Sequence, residues 1–195
     1  TLSVALGAAL VWGGVAAVGA AGALAQGWVG MVGIVLMLHF GVFRLVSCAW
    51  RSAGVEARPL MDRPLAAVSL GEFWGRRWNT AFRDLTHRCF YAPLARRWSP
   101  RVAILGGFLL SGVVHDLVIS LPARGGYGLP TAYFALQALG LLVERSPFGR
   151  RLGLGRGRAG WSWTMLVVAV PVGLLFHPAF IRVVILPFLA ALGAA

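Results

Sequence analysis

Lysine is missing altogether: all 18 basic residues are arginine, set against six acidic ones, for a formal net charge of +12. Cysteine is nearly missing too. Cys48 and Cys89 are too few for a disulfide framework and show no metal-ligand spacing, so reduced thiols and no metal site are expected. There is no HExxH, no GxSxG and no carboxylate pair at useful spacing, which removes support for a zinc peptidase or a serine hydrolase. The glycines of "RRLGLGRGRAG" follow no predicted strand, so they do not form a dinucleotide site. No internal repeat is visible. No basic segment precedes the first apolar run, as it would in a secretory signal peptide, and the first residue is Thr1. The sequence is therefore read as a single integral-membrane domain over residues 1–195 that is N-terminally incomplete.

Apolar sequence is what the chain has in quantity. Hydrophobic residues make up 58% and charged residues only 12%, with a mean hydropathy of +0.77, far on the apolar side for a soluble domain. A bilayer core of about 30 Å needs roughly 20 apolar residues in a helix. Leu2 to Ala25 is one span and Trp28 to Phe43 begins a second, joined by "QGW" as a hairpin link. Val102 to Leu121, Thr131 to Val143 with its flanks, Trp161 to Phe176 and Ala179 to Leu192 follow. The expected fold is all-α and polytopic, with about six transmembrane helices.

Eleven arginines lie between Arg44 and Arg101 and five between Arg145 and Arg158, whereas the Pro122 to Pro130 connection carries only Arg124. Such asymmetry puts the two basic segments on the cytoplasmic side. Arginines between apolar spans suit anionic membrane lipids or acidic cofactors and do not suit nucleic acid. Arginine without lysine, in an Ala/Gly/Leu-rich background, points to a GC-rich bacterial gene and hence to a bacterial cytoplasmic membrane.

One polar stretch interrupts the apolar spans: "SLGEFWGRRWNTAFRDLTHRCFYAPL", from Ser69 to Leu94. Ser69 with Glu72 has capping-box spacing. Leu70, Phe73, Trp74, Trp78, Ala81 and Phe82 recur at offsets of three and four, with Glu72, Arg76, Asn79 and Arg83 on the other face. The spacing predicts an amphipathic helix at the cytoplasmic surface of the membrane. Arg76, Arg77 and Arg83 have the chemistry either to hold phosphates bidentately or to touch anionic lipid.

His115 and Asp116, in "LLSGVVHDLVIS", lie inside an apolar span. At about 1.5 Å per residue, His115 sits about 20 Å from the cytoplasmic end of its helix, past the midplane. A carboxylate near a helix centre costs roughly 2.5 to 3.5 kcal/mol, so such groups face protein or a watery cavity. Ser111 and Gly112, one turn earlier, either permit close helix packing or leave room for a substrate beside the imidazole. Two readings stay open for His115, a buried structural histidine and a functional one. Asp116, about 100° further around, has the choice of anchoring the helix or holding a water. Asn79 is either an ordinary polar residue on a solvated face or an amide that orients a nucleophile or an oxyanion.

Taken together, "SLGEFWGRRWN", "FRDLTHRCFYAPL" and "SGVVHD" resemble the signature of membrane-bound O-acyltransferases. The closest likeness is to the wax synthase branch, with its Ser-Leu-x-x-Phe-Trp-Gly-Arg-Arg-Trp-Asn-like and Ser-Gly-x-x-His-Glu-like motifs. The likeness covers residues 58–120, with Asp116 where glutamate is commoner and without helices that a full member carries before Thr1. It implies transfer of a fatty acyl group from acyl-CoA, a co-substrate rather than a resident cofactor, to a lipid or long-chain alcohol. It also implies His115 as general base and Asn79 as a positioning or oxyanion-binding group. Trp74, Arg76, Arg77, Trp78 and Arg83 would face the CoA end, with Ser111 and Asp116 in support. A transporter or assembly subunit that keeps the family helices is an alternative. So is an acyltransferase acting on a sterol, a glycan or a small polar alcohol.

Overall fold

The computed structural model describes residues 2–194, and every element in it is helical. In chain order these are α1 (Leu2–Ala17), α2 (Ala23–Ser52), α3 (Leu70–Glu72, running on into a π-helical turn, Phe73–Arg77), α4 (Thr80–Thr86, continued by His87–Tyr91 and Ala92–Arg97), α5 (Pro100–Ala123), α6 (Leu129–Arg145), α7 (Pro147–Arg151), α8 (Gly157–Leu175) and α9 (Pro178–Ala191). Three of them, α2, α5 and α8, are long and apolar enough to cross a membrane, and α1 and α9 are shorter apolar helices. The fourth expected span falls within the 17 residues of α6. The protein is an all-α polytopic membrane protein.

The described chain forms two compact units. The first joins the chain up to Leu60, Leu121–Gly126 and the chain from His177. Its centre is α2, whose glycines let neighbouring helices approach closely, as apolar helices in lipid require in place of a hydrophobic driving force. A Cβ on Gly33 would lie 2.8 Å from the Gly7 carbonyl oxygen, and one on Gly30 would lie 2.3 Å from a Leu189 methyl. Trp12 Nε1 donates to the Leu192 carbonyl at 3.1 Å.

The turn between α1 and α2 falls at Gly19–Ala21 and Gly22, not at "QGW", and this corrects the sequence expectation. Gly22 has φ 94°, a conformation open to glycine but costly for other residues. An unbroken Ala/Gly run hides such a turn from hydropathy. Gln26, Gly27 and Trp28 then lie inside α2, where a Cβ on Gly27 would lie 2.2 Å from the Ile181 side chain.

The second unit comprises Met61–Ser120 and Tyr127–Phe176. Here α5 packs on α6 at Gly112, where an added Cβ would lie 2.6 Å from Thr131 Cα. Leu70, Ile104, Ala138 and Leu141 form the core, with Trp74, Phe108 and Trp163 packed around it. Pro171 breaks α8: lacking an N–H, it cannot bond the Val167 carbonyl four residues back. Gln137 Nε2 donates to that carbonyl at 2.8 Å, and the Tyr133 hydroxyl donates to the adjacent Val168 carbonyl at 3.2 Å. Polar side chains of α6 thus satisfy backbone that lipid could not.

The single amphipathic helix expected through Arg83 is broken. Trp78 is extended (φ −106°, ψ 124°) and Asn79 is left-handed (φ 42°), so α3 ends and α4 starts in a new direction. Asparagine tolerates this conformation because its side chain bonds locally. Its Oδ1 accepts from Phe82 N at 3.3 Å and caps α4. The Ser69 cap is present: its hydroxyl accepts from Glu72 N at 2.9 Å, while the Glu72 carboxylate reaches back to Val68 N at 2.8 Å.

Candidate functional site

The second unit carries an open cavity of about 390 Å³. Trp74, Trp78, Asn79 and Arg83 line it from the polar stretch, and Ser111 and His115 line it from α5, so six of the sequence-predicted site residues share one wall system. Arg76, Arg77 and Asp116 are not among its lining residues. Gly107, Ser111 and His115 fall on one stripe of α5 because they recur every four residues.

His115 is only partly exposed, and its ring lies 4.5 Å from that of Phe134 on α6. Its Nδ1 is 2.7 Å from the Ser111 carbonyl oxygen. A carbonyl only accepts, so Nδ1 carries the proton and the neutral ring keeps its lone pair on Nε2. That is the protonation pattern a general base needs. Asn79 spends its Oδ1 on the α4 cap, which leaves its Nδ2 amide as the donor. Trp74 is held by an Nε1–H bond to Gln137 Oε1 at 3.3 Å and by ring contacts with Phe108 and Phe134 at 5.7 and 5.8 Å. Trp78 stacks on the buried Phe73 ring at 5.6 Å.

The arginines divide by role. Arg77 is bound to the Glu72 carboxylate at 2.7 and 2.9 Å and donates to the carbonyls of Asp62 and Arg63 at 3.1 and 3.3 Å. It fastens the 61–63 segment to α3. Arg76 is exposed. Arg83 pairs with Asp84 at 2.9 Å, and its buried Nε has no hydrogen-bond partner among the described residues. The bond from Val68 N–H, followed by the Arg77 guanidinium, holds the Glu72 carboxyl below its ordinary range.

Asp116 is an anchor. Its carboxylate accepts from Ser120 Oγ at 2.9 Å, from Gly128 N at 2.8 Å, from Thr131 N at 3.2 Å and from the Thr131 hydroxyl. Two of these donors are backbone groups at the start of α6, so the residue after His115 fixes the helix that carries Phe134. Among the described residues, no group of His, Cys, Asp and Glu is placed to hold a metal ion.

Sequence reasoning missed Arg145, His87, Tyr91, Phe108 and Phe134 on the cavity wall, and Gln137 and Glu144 behind it. For the last two a signal existed. They are polar residues seven apart in the mostly apolar stretch after Tyr133, hence on one face.

Fold and site together define a helical membrane protein with a part-buried imidazole beside an aromatic-walled chamber. Residues 57–136 match the model of the membrane bound O-acyl transferase family. A probable long-chain-alcohol O-fatty-acyltransferase 9 of Arabidopsis thaliana is 32% identical over 142 residues, covering 66% of this chain and 42% of that protein. The long-chain-alcohol O-fatty-acyltransferase of Simmondsia chinensis is 30% identical over 142 residues, covering 66% of this chain and 40% of that protein. An acyl-CoA–sterol O-acyltransferase 1 of Arabidopsis thaliana is 34% identical over 77 residues, covering 36% of this chain and 22% of that protein. No solved structure matches the chain. The chain spans less than half the length of these relatives. The matches support membership of the membrane-bound O-acyltransferase superfamily.

Proposed function

We propose that this chain carries the catalytic region of an O-acyltransferase that moves a fatty acyl group from acyl-CoA to a lipid or long-chain alcohol, forming a wax-type ester. The observation that carries the reading is His115, on the cavity wall with Nδ1 bonded to the Ser111 carbonyl and Nε2 left as proton acceptor. In the proposed step Nε2 takes the hydroxyl proton as the alcohol oxygen bonds to the thioester carbonyl carbon. The Asn79 amide donates to the oxyanion that develops. The C–S bond then breaks, and the imidazolium returns its proton to the departing CoA thiolate. Trp74, Trp78, Phe108 and Phe134 suit the apolar parts of both substrates, and Arg83 and Arg145 bring positive charge for a phosphate-bearing end.

The long-chain-alcohol acceptor follows the names of the Arabidopsis and Simmondsia relatives, and the acyl-CoA donor that of the sterol acyltransferase. The sterol acyltransferase among them makes a sterol the second acceptor to assay. Those relatives are plant proteins, while the arginine-only composition supports a bacterial cytoplasmic membrane as the location.

The test uses membranes containing the protein, labelled acyl-CoA and a long-chain alcohol, with ester formation as the readout. Loss of a general base is expected to reduce turnover by about 10²- to 10⁴-fold in His115→Ala. Unchanged turnover at equal expression would sink the mechanism.

A further inference from the structure

We infer that Gln137 and Glu144, two turns apart on α6, are positioning residues: they hold the polar stretch against the cavity so that Trp74, Trp78 and Asn79 line it. Both lie beyond the 57–136 family match. Their kinetic consequence rests on the acyl-transfer reading above.

The first turn of a helix leaves backbone N–H groups with no partner inside the helix. In α3 these are supplied from two places. Ser69 takes Glu72 N at 2.9 Å, and Glu144 takes the other two, Leu70 N at 2.6 Å on Oε2 and Gly71 N at 3.2 Å on Oε1. Gly71, Trp74, Gly75, Trp78 and Asn79 all line the cavity, so the point at which α3 is fixed is also where its cavity face begins. Glu144 is 7% exposed and Gln137 is fully buried, so the acceptor side of each bond is largely withdrawn from water.

Gln137 supplies the second fixation. Its Oε1 accepts from Trp74 Nε1 and its Nε2 donates to the Val167 carbonyl that Pro171 leaves open. The amide therefore has a fixed orientation, with its oxygen toward Trp74. Phe134, one turn earlier on the same face of α6, lies against His115. A single helix face thus sets the imidazole, the indole and the origin of α3 with respect to one another.

The experiment compares wild type with Glu144→Gln, Glu144→Asp and Gln137→Leu as full chains in detergent-solubilised membranes. Two readouts are used: kcat and KM per folded molecule, and hydrogen exchange at the Leu70 and Gly71 amides. Misplacing a reactive group by about an ångström costs up to about 100-fold. Glu144→Gln and Gln137→Leu are therefore expected to lower kcat by about 10- to 100-fold with a smaller change in KM. Glu144→Asp, which retains a carboxylate, is expected to recover part of the loss. Exchange at Leu70 and Gly71 is expected to accelerate in Glu144→Gln and to stay slow in Gln137→Leu.

Unchanged kcat per folded molecule in both variants would overturn the inference, as would unchanged exchange in Glu144→Gln. A wild-type protein that forms no ester with any donor would overturn the acyl-transfer reading instead, and the exchange arm would still decide the role of Glu144.

Discussion

Replacing Asp116 with alanine removes the acceptor for four donors at once, two of them backbone N–H groups at the start of α6. Gly128 is exposed and its N–H can return to water, so its loss resembles that of an ordinary helix cap, about 1 kcal/mol. Thr131 is half-buried against α5, and losing a charge-assisted partner there adds roughly 1 to 2 kcal/mol. The expected total is about 2 to 3 kcal/mol. Asp116→Asn keeps one acceptor oxygen and is expected to fall between alanine and wild type. Equilibrium unfolding in mixed micelles, followed by tryptophan fluorescence, measures the difference directly. Turnover per folded molecule is expected to fall much less than in His115→Ala, because Asp116 acts through α6 and not on the reacting atoms. A stability change below about 0.5 kcal/mol, the scatter of neutral surface substitutions, would refute the anchor assignment. So would a turnover loss equal to that of His115→Ala.

Gly112→Ala places a Cβ 2.6 Å from Thr131 Cα, a backbone atom that cannot swing aside, and is expected to cost about 1 to 3 kcal/mol in the same unfolding assay. Adjacent arginines are expected to differ: Arg77→Ala loses the Glu72 pair and two carbonyl contacts and lowers the melting temperature, whereas exposed Arg76→Ala leaves it unchanged. Acid works on the same contact. Because the Glu72 carboxyl is held below its unfolded value, its contribution is present at neutral pH and is lost as pH falls through the folded value. Melting curves taken through the acid range should show Glu72→Gln insensitive to that step.

The residues that were legible in the sequence are those joined by local geometry. Ser111 and His115 share a face because they lie four apart on one helix, and the Ser69 cap could be read from its spacing to Glu72. The break at Asn79 was not legible. Leu70, Phe73, Trp74, Trp78, Ala81 and Phe82 keep helical spacing across it, and periodicity carries no sign of a single left-handed residue. Arg77 looked like its neighbour Arg76 because only the folded 61–63 segment reveals its carbonyl partners. Glu144 could be placed on one face with Gln137, but its partners could not be read, since they are backbone groups more than seventy positions earlier. The Gly22 turn was concealed for a different reason: alanine and glycine on both sides read equally well as a span.

The bond that sets the His115 tautomer comes from the main chain of α5, not from a side chain. Whatever residue occupies position 111, a carbonyl stands there, so the orientation of the ring is inherited from helical geometry itself. On the proposed acyl-transfer reading, a substitution at position 111 that the packing accepts would alter the chamber without removing the carbonyl that holds Nδ1. Chamber shape and ring orientation thereby rest on separable parts of one residue, the first on the Ser111 side chain and the second on its backbone.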